Sequence, residues 1–129
     1  MQLLIVGDQG SVLDRIENRI GIFWPPEIPL KTTAVYCGWA QEVIETVGDY
    51  RPDILLLNCV FRHDIETGKD VALWIDRNYR RPILVAAHSD RPEADMREFF
   101  RGTECVKYFI SGDSIRDFVE YCTQSASSQ

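Results

Sequence analysis

The sequence predicts an α/β domain built on a parallel sheet with helices on both faces, and three observations carry that prediction. Short apolar runs recur along the chain, with Ile54-Leu55-Leu56-Leu57 the clearest of them. Between these runs, apolar residues return at spacings of three and four, the period of a helix that buries one face. Glycine, proline and short polar stretches separate the two kinds of segment. Strands alternating with helices imply crossover connections, and these lay the helices over the sheet on both sides.

Taken in order, Leu3-Leu4-Ile5-Val6 reads as a first, central strand, and Gly7-Asp8-Gln9-Gly10 as the turn after it. Ser11 is expected to cap a helix, with Asp14 three residues on as in a capping box. Val12, Leu13, Ile16, Ile20 and Phe23 form that helix's apolar face, and Trp24-Pro25-Pro26 ends it. After a proline-containing connection, Thr32-Thr33-Ala34-Val35-Tyr36-Cys37 has the β-branched and aromatic content of a strand. Gly38 breaks it, and Ala40, Val43, Ile44 and Val47 mark a second helix with Gly48 near its end.

The third strand lies within Pro52-Asp53-Ile54-Leu55-Leu56-Leu57-Asn58-Cys59; its unbroken apolar run is that of a strand buried on both faces. A long polar loop, Val60 to Gly68, leads to a helix carrying Val71, Leu73, Trp74 and Ile75. Pro82 to Ala87 is the fourth strand. His88-Ser89-Asp90-Arg91-Pro92 is a loop into a helix with Met96, Phe99 and Phe100 on its apolar side, Pro92 being suited to the first turn. Val106 to Ile110 is the fifth strand. Asp113 or Ser114 caps a last helix with Ile115, Phe118, Val119 and Cys122 on one face. The count is five strands and five helices in one domain over residues 1–123, followed by a polar tail at 124–129.

Composition narrows the function. The 129 residues make one domain, and a net charge of -6 leaves no basic patch with which to bind nucleic acid directly. No apolar run reaches the ~18 residues of a membrane span, and the N-terminus has no basic segment of a secretory signal. Cys37, Cys59, Cys105 and Cys122 are too widely spaced for a metal cluster and read as reduced thiols of a cytoplasmic protein. No nucleophile–base pair stands out, so the chain does not read as an enzyme.

In open α/β sheets ligands and chemistry lie at the carboxyl ends of the strands. Here those ends bring Asp8, Asn58, Ala87 and Ser111 towards one edge. With Arg51-Pro52-Asp53-Ile54-Leu55-Leu56-Leu57, Pro82-Ile83-Leu84-Val85-Ala86-Ala87-His88-Ser89-Asp90 and Tyr108-Phe109-Ile110, the chain from Leu3 to about Cys122 resembles a response-regulator receiver domain. The resemblance implies a flavodoxin-like, doubly wound five-stranded parallel sheet of order 2-1-3-4-5 with five helices. It also implies a pocket holding an acidic pair, a phosphoryl-accepting Asp, a Ser or Thr, and a Lys. In that pocket the acids hold Mg²⁺ through hard oxygens, and metal and lysine neutralise the charge on the transferred group.

This chain departs from the pattern at most positions. The acidic pair is reduced to Gly7-Asp8, and the acceptor is Asn58. The hydroxyl position falls on Ala87, or Ala86 in a shifted alignment, and the lysine position on Ser111. Asp8 and the switch-like aromatic Tyr108 remain. The expectation is therefore a degenerate receiver, a pseudo-receiver of bacterial two-component signalling that works through phosphorylation-independent protein–protein interaction. It would hold no cofactor beyond a weak Mg²⁺ site at Asp8, helped by the Asn58 carbonyl.

Its partner would be a protein on the face of the fourth helix, fifth strand and fifth helix, carrying Arg97, Arg101, Lys107, Arg116 and Glu120, with room for a homodimer. Nucleic acid and membrane are excluded as direct partners. Two other readings stand beside this one. Gly7 to Ser11 resembles a phosphate-binding turn, as in a small-ligand, nucleotide or flavin-binding flavodoxin-like domain, but lacks the G-x-G-x-x-G fingerprint and the P-loop lysine. Alternatively, an unconventional acceptor such as Asp64 would take the phosphoryl group.

His63, Asp64 and Glu66 resemble a small ligand cluster or a solvated loop. His88, beside the pocket, is placed to titrate near neutral pH. Trp74 reads as core, and Trp24 and Trp39 as core or partner anchors.

Overall fold

The structure, a computed structural model, describes residues 1–112 and 114–127, with side chains as far as residue 124. Its elements are β1 (Gln2–Gly7), α1 (Gly10–Phe23), β2 (Lys31–Tyr36), α2 (Ala40–Tyr50), β3 (Ile54–Asn58), α3 (Gly68–Asn78), β4 (Leu84–Ser89), α4 (Glu93–Phe99), β5 (Val106–Ser111) and α5 (Ile115–Ser127). The strands form one sheet in the order β2-β1-β3-β4-β5, and every pairing is parallel. This is the doubly wound, flavodoxin-like arrangement.

Strand alternation sorts the apolar residues into two cores. Leu55 and Leu57 of β3 join Leu4, Val43, Val71, Val85 and Met96 on the side covered by α2, α3 and α4. Ile54 and Leu56 join Leu3, Ile5, Leu13, Ile20, Ile110 and Phe118 on the side of α1 and α5. All five residues of β3 are buried, as a strand covered on both faces requires. The four thiols are also buried and free. Burial raises the pKa of each, in the case of Cys122 to about 12.

Several local expectations are corrected. Ser11 does not cap α1; the helix starts at Gly10, and the Gln9 carbonyl accepts the first bonds, from Val12 and Leu13 at 3.1 Å each. The α2 helix does have Gly48 near its end, as expected: it stops at Tyr50, and Arg51 caps it in the left-handed conformation at φ 49°. The β4 strand is shifted towards its carboxyl end. It begins at Leu84, whose N–H bonds the Asp53 carbonyl at 2.9 Å, and runs through His88 and Ser89. The reason is that both neighbours supply partners, Asn58 facing His88 and Ser111 facing Ser89. His88 is therefore a buried strand residue rather than a loop residue.

Before α5, the Ser114 hydroxyl donates to the Ser111 carbonyl; Asp113 lies outside the described residues. The α5 helix continues to Ser127, into the stretch whose composition is that of a tail. Of the tryptophans, Trp24 is core and Trp74 is half-buried against the core, whereas Trp39 is 48% exposed.

The long loop between β3 and α3 is pinned. Val60 bridges Thr67, and the Gly68 N–H bonds the Cys59 carbonyl at 2.7 Å. At the start of α3, the Asp70 carboxylate accepts the Thr67 N–H at 2.7 Å. Asp64 accepts the Ala40 N–H at 2.9 Å with one carboxylate oxygen and the Glu66 N–H at 3.0 Å with the other. A loop residue thus caps α2, whose own N-cap, Trp39, has no capping side chain. Asp64→Ala is expected to cost about 1 kcal/mol, read by chemical denaturation, with faster amide exchange at Ala40 and Glu66.

Candidate functional site

The carboxyl ends of β1, β3 and β4 open onto a cleft of about 170 Å³ lined by Gly7, Asp8, Asn58, Cys59, His88, Ser89 and Arg91, among others. The structure brings Gly7, Asp8 and Asn58 together. It does not bring the other two predicted positions in. Ala87 is wholly buried in the core beneath, and the Ser111 hydroxyl donates to the Arg91 carbonyl at 2.7 Å.

Asn58 is 9% exposed, and its Nδ2 donates to the Val60 carbonyl at 2.6 Å. Its Oδ1 is buried without a hydrogen-bond partner among the described residues. Asp8 turns one carboxylate oxygen to the Arg62 N–H at 2.6 Å, so this acid ties down the β3–α3 loop.

This donor set does not fit a resident Mg²⁺. A small hard cation is held by carboxylate oxygens in near-octahedral array. Here the acids lining the cleft are Asp8, already bonded to the Arg62 N–H, and Asp90, and with His88 and Cys59 they do not group as metal ligands. Among the described residues no three His, Cys, Asp or Glu side chains group as metal ligands, so His63, Asp64 and Glu66 do not form a cluster. His63 instead lies against Trp39, with ring centroids 6.3 Å apart.

His88 is the site residue that sequence reasoning misplaced. Its Nε2 lies 3.3 Å from the Val6 carbonyl. Because a carbonyl only accepts, Nε2 carries the proton in the neutral ring. Burial lowers the His88 pKa to about 4, below the 6.5 of a free histidine, and it stays neutral near pH 7. The folded state then binds fewer protons than the unfolded chain between these two values. Stability from this group is complete above pH 6.5 and declines by about 3 kcal/mol as pH falls to 4. His88→Gln is expected to flatten that part of the stability–pH curve, measured by urea unfolding at stepped pH.

Tyr108 lies on β5 with its ring 4.9 Å from Tyr121 and 5.4 Å from Phe118. It is half-buried, and desolvation raises its pKa.

No family model matches the sequence, and no curated protein matches it. Solved structures do. The chain is similar to the response regulator domain of Thermotoga maritima CheB, at 16% identity and a TM-score of 0.70 over 99% of this chain and 94% of that one. It is similar to a LuxR-family DNA-binding response regulator from Staphylococcus aureus, at 18% identity and a TM-score of 0.75 over 95% and 96%. The response regulatory domain of mrkE from Klebsiella pneumoniae matches over the full length of both chains at 13% identity and a TM-score of 0.74. At these identities the likeness is one of fold: the chain has the architecture of response-regulator receiver domains. No helix among the described residues is long and apolar enough to cross a membrane.

Proposed function

We propose that this chain is a receiver-like signalling domain that acts through phosphorylation-independent protein–protein interaction. The observation that carries this reading is Asn58. At the end of β3, where the receiver resemblance calls for a carboxylate nucleophile, stands an amide whose nitrogen is bonded to Val60. An amide does not attack a phosphoryl donor as a carboxylate does. The other positions that the resemblance names support the same reading. Ala87 has no hydroxyl, Ser111 brings no positive charge, and Asp8 is occupied by the loop.

The surface for a protein partner is the face of α4, β5 and α5. Arg97 lies over the Phe109 ring at 4.7 Å, Lys107 is exposed, and Tyr121 is 41% exposed beside Tyr108. Arginine and tyrosine on one face are the residue types that anchor interfaces. The ion pairs there, Arg97–Glu93, Arg101–Glu98 and Arg116–Glu120, are exposed at 3.3–3.7 Å and cost little to rearrange.

The other two readings draw no support from the geometry. A cleft of about 170 Å³ is below the ~300 Å³ at which small-molecule pockets begin. Both Asp64 oxygens are committed to backbone N–H groups.

Incubation with acetyl phosphate and Mg²⁺ tests the proposal. Intact mass is expected to show no phosphoryl group on the chain, nor on Asn58→Asp, because the other parts of the pocket are missing. Robust phosphorylation of Asn58→Asp counts against it. In a ¹⁵N correlation spectrum, Mg²⁺ and then beryllofluoride are expected to leave Asp8, Asn58 and Ser111 unmoved. Shifts centred on those residues would make the chain a ligand-responsive receiver instead.

A further inference from the structure

The two edges of the sheet are treated differently. On β5 the register slips: Val85 faces Val106 and Ala86 faces Tyr108, so Lys107 is an extra residue, and it is exposed. A bulge carrying a lysine is a means of discouraging strand addition. On β2 no such means is present. All six residues pair with β1 without a shift, none is proline, and the single charge is Lys31 at the start.

The Lys31 N–H bonds the Met1 carbonyl and the Cys37 N–H bonds the Gly7 carbonyl, at 2.9 and 2.8 Å. Alternation then directs Lys31, Thr33 and Val35 to β1, and turns the N–H and C=O of Thr32, Ala34 and Tyr36 outward. Among the described residues no strand lies beyond them.

We infer that β2 takes up an extended peptide segment of another protein along this edge, with Tyr36 and Trp39 selecting its side chains. This inference does not rest on the α4–β5–α5 face and concerns the opposite edge of the sheet. Main-chain bonds along an open edge give affinity, and side-chain contacts at alternate positions give specificity.

The chemistry of the occupant follows from what stands at the carboxyl end of the strand. Tyr36 is 58% exposed and Trp39 48%. Oε1 of Glu42 and the Tyr36 ring each lie 3.8 Å from the point where a side chain on Gly38 would begin. Aromatic surface beside a carboxylate favours an apolar residue and a Lys or Arg in the incoming segment. A second copy of the chain is disfavoured, since it would bring another net charge of -6 against the same edge.

The test pans the 129-residue chain against a displayed library of short peptides with apolar residues at alternate positions. A selected peptide is then titrated into ¹⁵N-labelled protein. Shifts are expected along residues 31–39, with basic peptides enriched. Ala34→Pro removes an outward N–H while sparing the ladder to β1, and is expected to weaken binding by about tenfold.

The same peptide N-methylated at alternate residues gives a second measurement on the unaltered chain. One parity is expected to abolish binding, and the other to leave it within about twofold. Recovery of no peptide, equal binding by both N-methylated forms, shifts on α4, β5 and α5, or concentration-dependent dimers lost in Ala34→Pro would each overturn the inference.

Discussion

Gly68→Ala is expected to destabilise the fold by about 4 kcal/mol, read as a lower midpoint in urea with an unchanged slope. A Cβ at this first residue of α3 would collide with the Asn58 carbonyl oxygen and would stand 3.1 Å from that of Cys59. Neither obstacle is the movable end of a side chain. Both are backbone: Asn58 ends β3, paired with His88 of β4, and Cys59 follows it directly. Relief requires α3 to lift from the end of β3, which breaks the bond from the Gly68 N–H to the Cys59 carbonyl.

Gly21→Ala is the control. Gly21 lies inside α1, and a Cβ there meets nothing within 4 Å. The gain in helix propensity is expected to stabilise by about 0.5–1 kcal/mol. A Gly68→Ala loss no larger than that gain would show that α3 is free to shift.

Asn58→Asp is expected to cost about 3–5 kcal/mol at pH 7, the range for a buried charge without a partner. The oxygen that replaces Nδ2 would face the Val60 carbonyl, now 2.6 Å from that nitrogen, and would have no proton to give it. The second oxygen takes the place of an atom that already lacks a partner among the described residues. Burial raises the new carboxyl group's pKa in the folded state. The sign follows: the penalty is absent where the group is protonated in both states, and grows as pH rises from about 4, the unfolded value, through the folded one. The check is the difference at each pH between Asn58→Asp and its parent, both in the His88→Gln background, because His88 faces position 58 across β3 and β4 and would titrate with it. A variant that is no less stable at pH 7 would mean that a cation reaches the pocket.

The fold was legible because its signals are local. The apolar runs of β1 and β3 and the spaced apolar residues of α1 and α5 declare their elements within a few residues of chain. The site was half legible. Asp8 and Asn58 follow strands whose ends the hydrophobic pattern marks. His88 and Ser89 do not look like strand, because pairing with β3 and β5, rather than their own character, holds them there. Asp64 capping α2, Asp8 holding Arg62, and the closeness of Gly68 to Asn58 are contacts between segments far apart in sequence. No periodicity reports them. The Thr67–Asp70 bond, by contrast, joins residues three apart at a helix start, a spacing the sequence itself carries.

The four buried thiols give the molecule internal timekeepers. A sulfur reacts with disulfide reagents as the thiolate. With Cys122 titrating near 12 and buried, almost none is available at pH 8 in the closed state. Modification then waits for the surrounding structure to part, and its rate reports how often that happens. Cys37, Cys59 and Cys105 lie in the layer under α2, α3 and α4, and Cys122 in the layer under α1 and α5. The order in which they are labelled, read by mass, separates a breathing motion of one side of the sheet from loss of the whole. A partner on either face would register as a delay in the thiols beneath it.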